Sequence, residues 1–193
     1  MNILEKLNKS EIEKTQIKKL TKGEILYSEG DVCEYIGIIK SGHLQIVSYL
    51  EDGKEIIYND LDKNKIFGNN LIFSSNPFYR GDVIAKQDTE VCLISKKVLL
   101  ELLKENQNFL VAYLEEQSNF GKQLNLQIKL LTFNNVKDRV LYYLNINKNT
   151  IKYKSITDLA NKLFLSRESV SRELHKLANE KIIKISGKEI VKI

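Results

Sequence analysis

The stretch that decides the fold is Ser166-Arg167-Glu168-Ser169-Val170-Ser171-Arg172-Glu173-Leu174-His175-Lys176-Leu177. Its apolar positions, Val170, Leu174 and Leu177, recur at spacings of four and three, the pattern of one helix face. Ser166 suits the N-cap, because its hydroxyl can accept a backbone N–H of the first turn. Burying the apolar face leaves Arg167, Glu168, Ser171, Arg172 and His175 on the rest of the surface. Just upstream, Ser155-Ile156-Thr157-Asp158 has the form of another helix start, with Ser155 as cap and Asp158 near the positive end of the helix dipole. Leu159, Leu163 and Leu165 supply the apolar face and the turn. Two helices joined by a tight turn, the second polar at its N-terminal end, read as a helix-turn-helix. Downstream, Ile182–Ile185 and Glu189–Ile193 flank Ser186-Gly187-Lys188 and predict a hairpin, so residues 132–193 are expected to form a winged helix-turn-helix.

The side chains of the exposed face suit DNA reading. Arginine bonds bidentately to guanine O6 and N7, glutamate accepts from cytosine N4, and serine serves bases or phosphates. Arg167, Glu168, Ser171 and Arg172 present these groups, so this face is expected to meet DNA, with phosphate contacts at Lys176 and at Lys188 in the hairpin. The chain has 26 Lys and only 4 Arg, so two arginines on one polar helix face carry weight. Charge points the same way. The net +5 divides into −2 over residues 1–131 (17 basic, 19 acidic) and +7 over residues 132–193 (13 basic, 6 acidic). Such asymmetry marks a part that meets a polyanion and a part that does not. A lysine-rich solvated face is the competing reading of the charge alone.

Upstream the texture differs. Residues 1–20 read as a short helix and a turn. From Lys22 to Ser95, apolar runs (Ile25–Tyr27, Tyr35–Ile39, Leu44–Tyr49, Glu55–Tyr58, Val91–Ile94) alternate with glycine turns, which predicts a β-sandwich or small barrel. Asp52-Gly53 predicts a hairpin turn, since a two-residue loop needs positive φ angles. Residues 96–104 read as a short helix and 106–131 as a long one. In the long helix, Leu110, Leu114, Gln117, Gly121, Leu124, Ile128 and Leu131 recur at alternating four and three, a narrow seam suited to one partner helix. Packing against the chain's own β region is the other reading; the length of the helix favours a homodimer seam. Thr132–Asn135 predicts a hinge, followed by a helix carrying Val136, Val140, Tyr143 and Leu144 on one face, and a strand over Ile151–Lys154.

Composition excludes several classes. With 42% hydrophobic residues the 193-residue chain can build a real core. Two cysteines, Cys33 and Cys92, cannot make a disulfide-dense scaffold or a four-thiolate cluster, and two histidines leave little for a metal site. An enzyme of the double-stranded β-helix type needs two or three His about a metal, and only His43 lies in the β region. His43 as a haem ligand and a thiol switch at the cysteines are minor alternatives. The N-terminus MNILEKLNKS has no apolar core, and no run of about 18 apolar residues exists, so neither a secretory signal nor a membrane span is expected and the location expected is cytoplasmic.

The sequence resembles the cyclic AMP receptor protein/fumarate-nitrate regulator (CRP/FNR) transcription factors. The likeness rests on Lys22–Asp31, Ile38–Leu44, Asp52–Glu55, Phe67-Gly68 and Ser166–Leu174, in that order along nearly the whole chain. It implies an α+β chain: a cyclic-nucleotide-binding-like β jelly roll (residues 1–105), a dimerisation helix (106–131) and the winged helix-turn-helix (132–193). It further implies a homodimer on a two-fold-related site in double-stranded DNA, RNA polymerase as a further partner, base contacts at Arg167, Glu168, Ser171 and Arg172, which match the family's base-contacting positions, and phosphate contacts at Ser155 and Ser169. The alternative is a regulatory subunit that uses the helix pair for protein contacts. Phe164 departs from the family, which often has Gly or Asn at that turn; a bulky residue is expected to avoid a left-handed φ. The implied effector pocket comprises Phe67, Gly68, Asn69, Asn70, Leu71, Tyr79, Arg80, Gly81 and Asp82. In the cyclic-nucleotide-binding members this stretch carries a Glu for the ribose and an Arg-Ser/Thr pair for the phosphate. Here Asn69 replaces the Glu, Tyr79 and Arg80 fall at the pair, and Asp82 adds a negative charge, so the effector expected is a small molecule other than cyclic AMP, with no cofactor or metal; the alternative is a shift of one residue that places Arg80 on a phosphate.

Overall fold

Glycine turns and short apolar runs produce two four-stranded antiparallel sheets in the first part of the chain. The computed structural model describes residues 3–193, in two compact units that divide between Ser118 and Asn119. In the first unit the strands are β1 (Gln16–Leu20), β2 (Ile25–Tyr27), β3 (Tyr35–Ser41), β4 (His43–Tyr49), β5 (Glu55–Asp62), β6 (Ile66–Phe67), β7 (Asp82–Ala85) and β8 (Thr89–Ser95). One sheet has the order β1-β8-β3-β6 and the other β2-β7-β4-β5, a β-sheet jelly roll. Its core holds Ile36, Ile38, Ile39, Leu44, Val83, Val91 and Ile94, all inaccessible to solvent. The β4–β5 pairing shifts register between Ile46 and Val47, where Tyr58 is the extra residue of a bulge in β5, and Ile46 and Val47 are both buried. Gly37 is required by a close approach: a Cβ there would fall inside the Phe67 ring, which lies over β3.

Four expectations are corrected here. Residues 16–20 form a strand rather than a turn, an outer strand paired with β8, with only Leu20 buried; lacking apolar alternation, it gives no period-two signal. The turn between β4 and β5 is not a two-residue loop: Leu50 N–H bonds Lys54 O at 2.9 Å around the three residues 51–53, Gly53 N–H bonds Leu50 O at 2.8 Å, and only Gly53 there has positive φ (80°), as in a turn followed by a bulge. Asn106 stands outside the long helix as its cap, its Oδ1 accepting the Phe109 N–H at 2.9 Å, so α2 (Lys96–Glu105) and α3 (Gln107–Leu131) are separate elements. Phe164 does adopt the left-handed conformation (φ 54°, ψ 47°).

In the second unit, α4 (Val136–Ile146), β9 (Thr150–Lys152), α5 (Ile156–Leu163), α6 (Arg167–Asn179), β10 (Ile183–Ser186) and β11 (Glu189–Lys192) follow the end of α3. The strands form a sheet in the order β10-β11-β9. Leu130, Val140, Leu144, Leu159, Leu163, Val170, Leu174, Leu177, Ile183 and Ile190 form its core. A short helix, α1 (Lys9–Glu13), opens the first unit after a 3-10 turn at Ile3–Lys6.

His43 sits between two carboxylates on β5. Its Nδ1 is 2.9 Å from Asp62 Oδ1 and its Nε2 2.7 Å from Asp60 Oδ1. Partial desolvation lowers its pKa, but the hydrogen bonds to Asp62 and Asp60 outweigh it and the net shift is upward. A His whose folded pKa exceeds its unfolded one contributes stability below about pH 6.5, lost as pH rises through the folded pKa. The stability advantage of the wild type over His43→Gln, from urea unfolding, is therefore expected to shrink from about pH 6 to pH 8.5; a difference that stays constant or grows would contradict the pairing. A second expectation concerns Gly37: Gly37→Ala must displace the Phe67 ring, and overpacking of this kind costs about 1–3 kcal/mol. A Gly37→Ala variant as stable as the wild type in the same assay would show that the ring can move freely.

Candidate functional site

Capping and burial set the direction in which α6 faces. Ser166 accepts the Ser169 N–H at 3.2 Å and donates its hydroxyl to Ser169 Oγ at 2.9 Å, which fixes the first turn. Val170, Leu174 and Leu177 are 0%, 2% and 0% exposed. Arg167, Glu168, Arg172, His175 and Lys176 are consequently exposed, with Ser169 and Ser171 half-buried. The ion pairs of this unit lie elsewhere: Lys137–Glu180 at 3.0 Å, Lys152–Glu189 at 3.6 Å and Lys162–Asp158 at 3.0 Å. The two arginines, Glu168 and Lys176 thus share one helix with their charged ends uncommitted. His175 donates from Nδ1 to the Ser171 carbonyl at 2.7 Å, leaving Nε2 outward.

Other expected contact residues are distributed around this helix. Ser155 caps α5, its Oγ accepting the Asp158 N–H at 3.1 Å, and keeps its own hydroxyl proton for donation. Partial desolvation of the Asp158 carboxyl is outweighed by Lys162 and by the Lys154 N–H, which hold its pKa below the usual range. Lys188 is exposed in the β10–β11 turn beside Gly187 (φ 58°). Arg139, by contrast, is 9% exposed and hydrogen-bonded to backbone carbonyls, so it adds nothing to a basic surface. The readable signal was its position: it falls on the apolar face of α4, between Val136 and Val140.

The segment 67–82 is packed rather than open. Phe67 and Gly68 are buried, and Leu71 half-buried, while Asn70 is exposed. Asn69 is 7% exposed; its Nδ2 donates to Gln117 Oε1 at 3.0 Å. The Asn69 carbonyl accepts Gln117 Nε2 at 2.9 Å and the Tyr113 hydroxyl at 3.3 Å. Tyr79 is 2% exposed and stacks on Tyr27 at 4.9 Å between centroids. Burial pushes the Tyr27 phenol up to about 12, and the Tyr79 phenol higher still. Arg80 is exposed, Gly81 buried, and the Asp82 carboxylate accepts the Glu29 N–H at 2.7 Å. Arg80 and Asn69 therefore do not converge on one buried site. Burial also pushes both cysteine thiols up, away from the reactive thiolate.

Along α3, Phe109, Ala112 and Tyr113 are buried in the first unit and Leu130 in the second. The seam positions lie on another stripe: Leu114, Leu124, Ile128 and Leu131 are exposed and Leu110 half-buried. Gln117 is turned to Asn69, and a Cβ at Gly121 would meet nothing within 4 Å. Among the described residues, no group of three or more His, Cys, Asp or Glu is placed to hold a metal, and no helix is long and apolar enough to cross a membrane.

Comparison with known proteins agrees with this architecture. Residues 17–106 match the cyclic nucleotide-binding domain family. The chain is 26% identical over 187 residues to the anaerobic regulatory protein of Bacillus subtilis (strain 168), covering 90% of this chain and 79% of that one. It is 25% identical over 185 residues to the cAMP-activated global transcriptional regulator CRP of Pasteurella multocida (strain Pm70), covering 91% and 88% respectively. A mutant of CooA from Carboxydothermus hydrogenoformans shares the fold at a TM-score of 0.70 and 16% identity, over 100% of this chain and 90% of that one. The chain thus carries a jelly roll matching the cyclic nucleotide-binding domain family and is similar, along nine-tenths of its length, to CRP/FNR-type transcription regulators.

Proposed function

We propose that the chain is a sequence-specific DNA-binding regulator that works as a homodimer. In this reading α5 and α6 form a helix-turn-helix with β10–β11 as its wing, and α6 enters the major groove. The observation that carries it is the α6 surface: Val170, Leu174 and Leu177 buried, Arg167, Glu168 and Arg172 exposed and outside every ion pair of the unit. Arg167, Glu168, Ser171 and Arg172 read base edges; Ser155, Ser169, Lys176 and Lys188 hold phosphates. The exposed stripe Leu114, Leu124, Ile128 and Leu131 supports pairing with a second copy, since an unpartnered apolar seam on a 25-residue helix is costly in water.

Cyclic AMP is a poor fit as effector. An anionic phosphate needs converging unpaired donors. Here the Asn69 carboxamide is bonded to Gln117, Tyr79 is buried against Tyr27, and Asp82 contributes a carboxylate. An effector of other chemistry, or none, suits this segment.

One titration tests the reading. Binding to an operator selected from random duplex DNA is expected to weaken linearly in log K against log salt, with a slope of about −0.9 per phosphate neutralised. Arg172→Ala should cost about 1–3 kcal/mol and relax the preference at one base pair of each half-site. A half-site duplex should bind more weakly than the two-fold site, and added cyclic AMP should change neither affinity. Failure to select any sequence would overturn the DNA assignment. Equal half-site affinity would overturn the dimer, and a cyclic AMP-dependent gain would overturn the effector argument.

A further inference from the structure

Arg139 is a buried cation without a carboxylate. It is 9% exposed, and no ion pair of its unit includes it. Its two terminal nitrogens are instead bonded to backbone. Nη1 donates to Leu163 O at 3.2 Å and to Phe164 O at 3.0 Å, and Nη2 donates to Phe133 O at 2.9 Å. These carbonyls are not arbitrary. Leu163 is the last residue of α5, and Phe133 lies two residues beyond the end of α3. The final carbonyls of a helix lack intrahelical partners and carry its negative dipole end. One guanidinium thus serves the C-terminal end of α5 and the segment just past α3, using the planar fork that a lysine lacks.

The turn it touches is under constraint. Phe164 occupies the left-handed region, which a residue with a Cβ adopts only at a cost, yet its ring is 42% exposed and anchors nothing in the core. The local bonds that hold the turn are Phe164 N–H to Asn161 O at 3.1 Å and Leu165 N–H to Ala160 O at 3.0 Å, the pairing of a Schellman motif. Two residues later Ser166 caps α6 and Arg167 begins it. A change in the turn would therefore re-aim the first residues of α6.

We infer that Arg139 is a positioning residue for DNA reading: its guanidinium ties the exit of α3 to the Leu163–Phe164 turn and so sets the angle at which Arg167 and Glu168 are presented. This rests on the reading of α6 as the base-contacting helix. Arg139 itself touches no DNA in this account. The guanidinium's own Nε, like Glu173 Oε1, is buried without a partner, so the three carbonyl bonds are what fix the group.

The test compares wild type, Arg139→Lys, Phe164→Gly and the double variant in the full-length chain. Affinities for the selected operator and for scrambled duplex are read at one salt concentration, and amide exchange is followed at Phe164 and Leu165. Arg139→Lys should lower the operator-to-scrambled ratio about tenfold, while scrambled-duplex affinity stays within about twofold because the exposed cations are intact. Exchange at both amides should accelerate. Gly adopts the left-handed turn without being held, so Phe164→Gly should restore part of the lost ratio in the Arg139→Lys background. A role limited to stability predicts a lower melting temperature with the ratio unchanged, and that result would overturn the inference. Should the wild type itself show no operator preference, the reading of α6 fails instead; unaccelerated exchange in Arg139→Lys would then still overturn the clamp.

Discussion

The rotation of α6 about its own axis is fixed by three side chains. An isolated helix of 13 residues is marginal in water, so its orientation comes from packing. Burying Val170, Leu174 and Leu177 contributes about 1.5–3 kcal/mol each, against about 1 kcal/mol for the cap at Ser166. Turning the helix the other way would expose those three residues and carry Arg167 and Arg172 inward, where unpaired charge is costly. The apolar stripe thereby dictates which polar groups meet solvent. The rest of the second unit serves the same end: α4 and α5 provide the surface that receives the stripe, and the turn at Phe164 sets where the helix begins.

The first unit follows a different logic. Its sheets enclose an aliphatic core, and the polar groups near Phe67 and Gly68 are used internally. Asn69, Gln117 and Tyr113 close a ring of hydrogen bonds between the segment after β6 and helix α3. A buried polar network of this kind is stable only when its members are satisfied, and here donors and acceptors are matched around the Asn69 carbonyl. Asp82 is likewise engaged with the Glu29 backbone. In this segment the Asn69 carboxamide and the Asp82 carboxylate are thus committed to the protein's own groups, while Arg80 stands exposed.

Much of this was legible in the sequence because it depends on local periodicity. The four-and-three spacing of Val170, Leu174 and Leu177 is realised, and both Ser155 and Ser166 make the capping bonds their positions implied. Strands with apolar alternation and glycine turns, such as β3 and β4, were also readable. Three kinds of feature were not. β1 has almost no buried side chain, so its pairing with β8 rests on backbone groups that every residue carries. The Asn69–Gln117 bond joins residues 48 positions apart, and no pattern along the chain announces it. Phe164 violates the steric preference of its own side chain, because the backbone bonds of the turn and the Arg139 guanidinium hold it there. Local rules failed where a tertiary hydrogen bond overrode them.

The central claim is that α6 reads base edges in the major groove through its arginines. Methylation interference on a selected operator tests it most directly, because a methyl group at guanine N7 blocks the acceptor that arginine uses. The account predicts loss of binding at a few guanines arranged about a two-fold axis. Binding that tolerates N7 methylation throughout the site would contradict it.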